Sequence, residues 1–386
     1  TLFDDLLLAQ DKSAESGLEN HMKYFVIGLF LGLVVGVVVA TSEPDLNDKQ
    51  INWLQVENKE IKTSLQRSQW RTASLFPSST FPSGISVQKL VKNINFLTRT
   101  TLELKLFEPG TLVPVFSSFD AVSSGRIEAA VSSPSFWGGK SRSFQLLDGF
   151  PFGPGANEFL AWYKIGGGKK LSQSLYQRYN ILGLVCGITG PTFGGWFREP
   201  VNNIADLRKR RVAAVGLGAT VLSQAGVLTA LIAPQDIRSA IQSGEIFGAI
   251  IGAPYAIGKT EPKQTTGHIY FPGWHQQYSV LNLMINIRNW DSLNRQTKDR
   301  IEIACTANIA DSISQSEGHR FGMLKSLVDR GFTVSRWPPR LLNKLKSIWQ
   351  EEVHAYRTSE GEFGKIWRSL EKFRKNYSIW QELGYL

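Results

Sequence analysis

LELKLFEPGTLVPVFSSFDAVSSGRIEAAV, residues 102–131, decides the fold class. Leu102, Leu104 and Leu106 alternate with Glu103 and Lys105, the period of a half-buried strand, and Glu108-Pro109-Gly110 closes it. A helix is expected around Val115–Ser123, and a second strand begins at Ile127. Upstream, TASLFP (72–77) reads as a strand ending in a Pro turn. Leu90, Val91, Ile94 and Leu97 mark one face of a helix. Such βαβα order argues for an open, largely parallel sheet with helices on both faces.

Farther along, the same pattern starts again after GGWFRE (194–199). A strand is expected at 211–215, followed by GLG (216–218) and a helix from Thr220. Asp236 caps a short helix whose C-terminal residue is Gly244. Residues 246–251 form a further strand, and Val280–Ile287 reads as a strand returning to the first unit. The rest is helical: 290–317, 338–357, and an amphipathic tail carrying Phe363, Trp367, Leu370, Phe373 and Trp380. The expected fold class is therefore α/β, with two lobes, a hinge and long C-terminal helices. The first lobe is expected at about 70–190 plus 280–340, the second at about 191–279, and the C-terminal helices at 341–386, all within a domain of 69–386. A cleft between two such lobes is where a ligand would sit.

The front of the chain is of another kind. YFVIGLFLGLVVGVVVA (24–40) carries no charge; Lys23 precedes it, and Glu43, Asp45 and Asp48 follow. That asymmetry places everything downstream outside the cytoplasm. About 17 residues is the lower limit of a spanning helix, whereas a secretory core ends in small residues such as Val38-Val39-Ala40. Residues 22–41 are thus expected to be a signal peptide or an inner-membrane anchor, and Met22-Lys23 a start site with 1–21 as an upstream extension. Ile51, Leu54, Asn58, Ile61 and Leu65 recur at spacings of three and four, so 42–68 reads as a helical spacer.

Composition removes several function classes. With 386 residues, 42% of them hydrophobic, and 35 Gly and 11 Trp, the chain is ordered and globular. The formal charge of +10 favours anions, yet only Arg208-Lys209-Arg210-Arg211 forms a tight basic run. No nucleic-acid signature accompanies it, and no nucleic-acid partner is expected. Cys186 and Cys305 are expected as two buried thiols, and the five histidines show no metal-cage spacing. APYAIGKT (253–260) fits a loose phosphate-loop pattern, but no helix follows and Pro254 removes an amide donor. There is no GxSxG elbow. No metal, no cofactor and no catalytic set are expected, so the chain does not read as an enzyme.

From about Trp70 onward the chain resembles the solute-binding subunits of tripartite ATP-independent periplasmic (TRAP) transporters, the DctP type. The branch it is most similar to handles 2-oxo acids and related organic acids. The likeness is carried by FDAVSSGRIEA (119–129), FWGGKS (136–141), PFG (151–153), Glu158 with WYKIGGG (162–168), GGWFRE (194–199), GLG (216–218), IYFPGWH (269–275), NLMIN (282–286) and the tail with Trp380 and GYL. It implies a periplasmic binding-protein clamp that closes on a solute and presents it to membrane permease subunits. It also implies that the C-terminal helix can pair two copies.

The resemblance further implies an Arg, forked onto a substrate carboxylate, where this chain has Ala213. Acidic residues are implied at Phe247 and Ile250, an aromatic at Ile251 and an amide at Thr192; part of that group holds a metal ion in relatives. Losing the whole set together costs less than leaving one buried charge behind. A less charged cleft is expected. It would take a neutral or hydrophobic solute, use Arg211 as a substitute anchor, or serve a sensor or scaffold that binds no acid. Trp137, Gly190, Thr192, Trp196, Arg211, Ala213, Ile250, Ile251, Tyr255 and Trp274 are expected at or near the cleft, although the tryptophans also suit a core. Glu128, Lys140 and Glu158 read as structural pairs or ligand contacts.

Overall fold

The computed structural model describes residues 67–251 and 267–384. The apolar segment 24–40, the pattern at 51–65, the loop 253–260 and Tyr255 lie outside the described residues.

Two sheets carry the fold. The first has five strands: β1 (Ser68–Ser74), β2 (Leu102–Phe107), β3 (Ala129–Ser132), β4 (Ile181–Thr189) and, much later in the chain, β10 (Ser279–Asn286), in the order β2-β1-β3-β10-β4. The second has six: β5 (Gly195–Phe197), β6 (Arg211–Ala213), β7 (Leu228–Ala230), β8 (Gly248–Ala249), β9 (His268–Phe271) and β11 (Thr333–Arg336), in the order β11-β9-β5-β8-β6-β7. Strands β1, β2 and β3 are parallel, but β10 runs antiparallel to both β3 and β4. Its direction follows from its route: it enters from the other lobe at the end where the parallel strands finish. β5, arriving from the first lobe, is antiparallel to β8 and β9 for the same reason. The sheets are thus mixed where the chain crosses, and parallel elsewhere.

Helices fill the crossovers. They are α1 (Ser83–Leu97), α2 (Ser118–Ser123), α3 (Ala156–Lys164), α4 (Gly168–Gln177), α5 (Gly216–Gln224), α6 (Ile237–Ser243), α7 (Ile287–Asp291), α8 (Arg295–Gly318), α9 (Arg320–Asp329), α10 (Pro339–Thr358) and α11 (Gly361–Gly384). Gly244 ends α6 in the left-handed conformation, φ 82°, as its position predicts. The sequence signal for a strand at 246–251 shrinks to the two residues of β8. Residues 333–336, within the span assigned to the first lobe from sequence, form a strand that pairs with β9 in the second.

β4 shows how the first lobe is closed. It is an edge strand buried along its whole length, so its outward backbone groups need partners. α8 supplies them from residues four apart. Asn308 Nδ2 donates to the Cys186 carbonyl at 2.8 Å. Ser312 Oγ donates to the Ile188 carbonyl and accepts from the Ile188 amide, at 3.0 and 2.9 Å. Ser316 Oγ accepts from the Gly190 amide at 3.0 Å. A helix turn of four residues rises about 6 Å and two strand residues about 6.8 Å, so the two ladders stay in step over this length. In the same seam Cys186 and Cys305 form a disulfide. The expectation of two free thiols is overturned: packing α8 on β4 brings together cysteines 119 residues apart in sequence.

Three strands of chain join the lobes: between β4 and β5, between β9 and β10, and between α8 and β11. α10 packs on α5 of the second lobe, and α11 packs on α3 and α4 of the first. Glu128, Lys140 and Glu158, the charged residues singled out from sequence, all stand in ion pairs. Arg71 holds Glu128 at 2.7 Å, Lys140 holds Asp120 at 2.7 Å, and Arg374 holds Glu158 at 3.1 Å. None of the three lines the cleft.

Candidate functional site

In open α/β sheets, ligands bind beyond the carboxyl ends of the strands. Here those ends from both sheets face one cavity of about 130 Å³. Phe76 follows β1, Ser133 and Ser135 follow β3, and Thr189 ends β4. From the second lobe come Thr192, Val215 after β6, and Ile250 and Ile251 after β8. His275, Gln276 and Ser279 come from the β9–β10 crossing, and Arg320 from the start of α9.

Three polar groups set its chemistry, two of them buried and one half-buried. Asp148 is fully buried. Its Oδ2 accepts from the hydroxyls of Ser133 and Ser135, and its Oδ1 from Ser279 Oγ at 3.1 Å and the Val280 amide at 2.6 Å. Burial nevertheless pushes its carboxyl above the usual range, against the pull of those donors. His275 is 3% exposed, and neither ring nitrogen has a hydrogen-bond partner among the described residues. Burial drives it down to about 4, so the ring is neutral, with the Ile250 carbonyl too weakly placed to reverse this. Gly218 makes room for that ring: a Cβ there would lie 2.8 Å from the His275 Cβ. Arg320 is the cation. Its Nη2 donates to the Gly190 carbonyl at 2.8 Å, while its buried Nε has no hydrogen-bond partner among the described residues. Glu317 stands 4.0 Å from Nε, close enough to attract and too far to bond.

Of the residues expected from sequence, Thr192, Ile250 and Ile251 line this cavity. Gly190 contributes by accepting from Arg320. Arg211 does not line it: its side chain is 49% exposed and pairs with Glu245 at 3.2 Å. A β6 side chain pointing away from the cleft end cannot reach back, so Arg211 is no substitute anchor. Ala213 is buried in the second lobe's core. Trp137 donates to Ser132 Oγ and packs on Phe119, Trp196 packs on Phe332, and Trp274 lies between Phe152 and His275. All three tryptophans are core rather than lining. The expectation of a weakly charged cleft also changes, since one carboxyl and one guanidinium face it. Sequence reasoning missed Asp148, His275 and Arg320. The signal for Arg320 was the interval of four through Asn308, Ser312, Ser316 and Arg320, which continues the ladder along β4.

Residues 73–359 match the family described as bacterial extracellular solute-binding protein, family 7 (DctP). The chain belongs to that family. Among its relatives is a monocarboxylate 2-oxoacid-binding periplasmic protein of Nostoc sp., 24% identical over 336 residues, covering 87% of this chain and 92% of that protein. A TRAP transporter solute-binding protein of Bordetella bronchiseptica, solved as a dimer with calcium and picolinate in one site, is 28% identical. It superimposes with a TM-score of 0.78 over 82% of this chain and 94% of its own. A TRAP solute-binding protein of Pseudoalteromonas atlantica with sodium and pyruvate, 23% identical, shares the fold with a TM-score of 0.75 over 82% of this chain and 97% of its own.

This family 7 protein is accordingly a solute receptor of the TRAP transporter type: it captures a small organic solute between two α/β lobes and delivers it to a membrane permease. Its family comprises receptors of the periplasm rather than enzymes. The metal implied by the resemblance does not fit the residues present. Phe247 is buried under the Arg210 guanidinium, 4.8 Å from its ring centroid, and the side chain of Ile250 offers no donor atom. No group of three or more His, Cys, Asp or Glu among the described residues could hold an ion.

Proposed function

We propose that the cavity between the sheets is the solute site and that Arg320 takes a carboxylate of the solute. The observation that carries this reading is the buried Nε of Arg320, left without a hydrogen bond at the edge of a cavity. A guanidinium fixed by one carbonyl, with Nε unbonded and Glu317 attracting it only from 4.0 Å, suits a carboxylate, whose two oxygens match the fork. The cavity corresponds to the liquid volume of about four waters, so the solute is small. Phe76, Phe136, Val215, Ile250 and Ile251 give it an apolar wall. The small carboxylates bound by the relatives agree with this class. The sensor or scaffold alternative loses its motive, since a cation does face the cleft.

Calorimetric titration of the wild type and Arg320→Gln with a panel of small monocarboxylates tests the reading. Removing one side of a desolvated charge pair costs about 2–5 kcal/mol, so affinity should fall at least thirtyfold in the variant. Arg211→Gln should bind as the wild type does. Equal losses in both variants, or none in either, would defeat the assignment. The reading places the receptor beyond the cytoplasmic membrane, with residues 24–40 as its export signal or anchor. It also lets α11 pair two copies, since Ile379, Trp380 and Leu383 are 58, 57 and 80% exposed on that helix.

A further inference from the structure

The Arg320 reading leaves half of the cavity unexplained. Facing it is Asp148, whose two oxygens receive three hydroxyls and two amides, those of Ser135 and Val280. Those bonds fix the hydroxyl hydrogens of Ser133, Ser135 and Ser279: each points at the carboxylate. Each serine oxygen then has only lone pairs to offer on its other sides. The three residues and Asp148 all line the cavity. No salt bridge reaches Asp148 among the described residues, so its carboxylate form has hydrogen bonds but no counter-charge, and burial works against that form until a cation arrives. An array of acceptors in front of a buried anion is complementary to a group that is cationic and all donor, which is the description of an ammonium. Arg320 and Asp148 do not neutralise one another. Arg320 reaches Gly190, next to Thr189, and Thr189 pairs with Ser279, which bonds Asp148. The opposite charges therefore border the same small space, a short span of backbone apart.

Resting on the reading that this cavity is the solute site, we propose that the solute is a small zwitterion, an α-amino acid with a short apolar side chain. Its ammonium sits on the hydroxyl oxygens of Ser133, Ser135 and Ser279 in front of Asp148, and its carboxylate meets Arg320. Phe136, Val215 and Ile250 receive the side chain. An acid with a carbonyl in place of the ammonium would turn an acceptor toward oxygens that can only accept, leaving both sides unpaired.

Matched pairs that differ only at that atom supply the test. Pyruvate against L-alanine, and 3-methyl-2-oxobutanoate against L-valine, are titrated into the full chain by calorimetry in sodium-free buffer and again with sodium chloride. The amino acid of each pair should bind at least tenfold more tightly than its oxo acid, with or without sodium. Asp148→Asn should abolish that preference by weakening the amino acid alone. If that variant does not fold, Ser133→Ala and Ser279→Ala each remove one acceptor and should give losses of a few fold confined to the amino acids. Oxo acids bound as tightly as amino acids, or bound only when sodium is present, would overturn the zwitterion while leaving the Arg320 site standing. Binding of neither class would instead bring down the reading of the cavity as the solute site.

Discussion

His275 is a titratable base in a place that cannot accept a proton. Its ring sits between the crossing that carries it and the bare first turn of α5, and burial holds it near 4 against an ordinary value near 6.5. In the unfolded chain the ring protonates first as pH falls, so its contribution to stability is fully present above about 6.5 and is lost on the way down to about 4. That span corresponds to about 3 kcal/mol of acid-side destabilisation. Urea unfolding at a series of pH values should show His275→Gln losing about that much less than the wild type over the same interval; parallel losses would mean that the ring is not buried as described. At this scale the sequence was a poor guide to the site. Arg211 was the visible cation because it shares a strand face with position 213, but it stands at the exposed start of β6, where Glu245 holds it on the outside. Asp148 carries no spacing signal of its own, since its serine partners come from two segments, 133–135 and 279, far from each other in sequence. Arg320 owes its position to the seam between α8 and β4, and its interval of four with Asn308, Ser312 and Ser316 gains meaning only once that seam is known.

Elements were more legible, because periodicity is a local property and burial follows it. The strand at 102–107, the return strand at 279–286 and the two long C-terminal helices are where apolar spacing puts them. What escaped was the polar face of α8, whose Asn308, Ser312 and Ser316 finish the edge of β4. That seam carries a prediction. Ser312 satisfies both the amide and the carbonyl of Ile188, so Ser312→Ala leaves a buried donor and a buried acceptor unpaired. The expected cost is about 1–3 kcal/mol per lost partner. Ser314→Ala, on the exposed side, should change stability by less than about 0.5 kcal/mol. Equal midpoints in urea for the two variants would contradict the seam. The cysteines belong to the same lesson. Their pairing depends on a helix meeting a strand across 119 residues, which neither neighbourhood can reveal.

Across the whole molecule, the two lobes were expected from the repeated α/β pattern, and the order of strands follows from where the chain crosses. The family match ends at residue 359, just before α11, and that helix leaves Ile379, Trp380 and Leu383 exposed near its end. Sedimentation velocity of the full chain at micromolar concentration should show a dimer that becomes a monomer when Trp380 and Leu383 are both changed to Glu. A wild-type monomer throughout would remove pairing through α11. The cavity itself has a kinetic consequence. Asp148 is fully buried and His275 nearly so, and residues of both lobes line the cavity that they border. Swinging the lobes apart would move the crossings, and Arg320 sits on one of them, tied to Gly190 on another. A permease that prises the lobes apart should therefore hasten unloading by drawing the guanidinium away from its partner, without touching the solute at all.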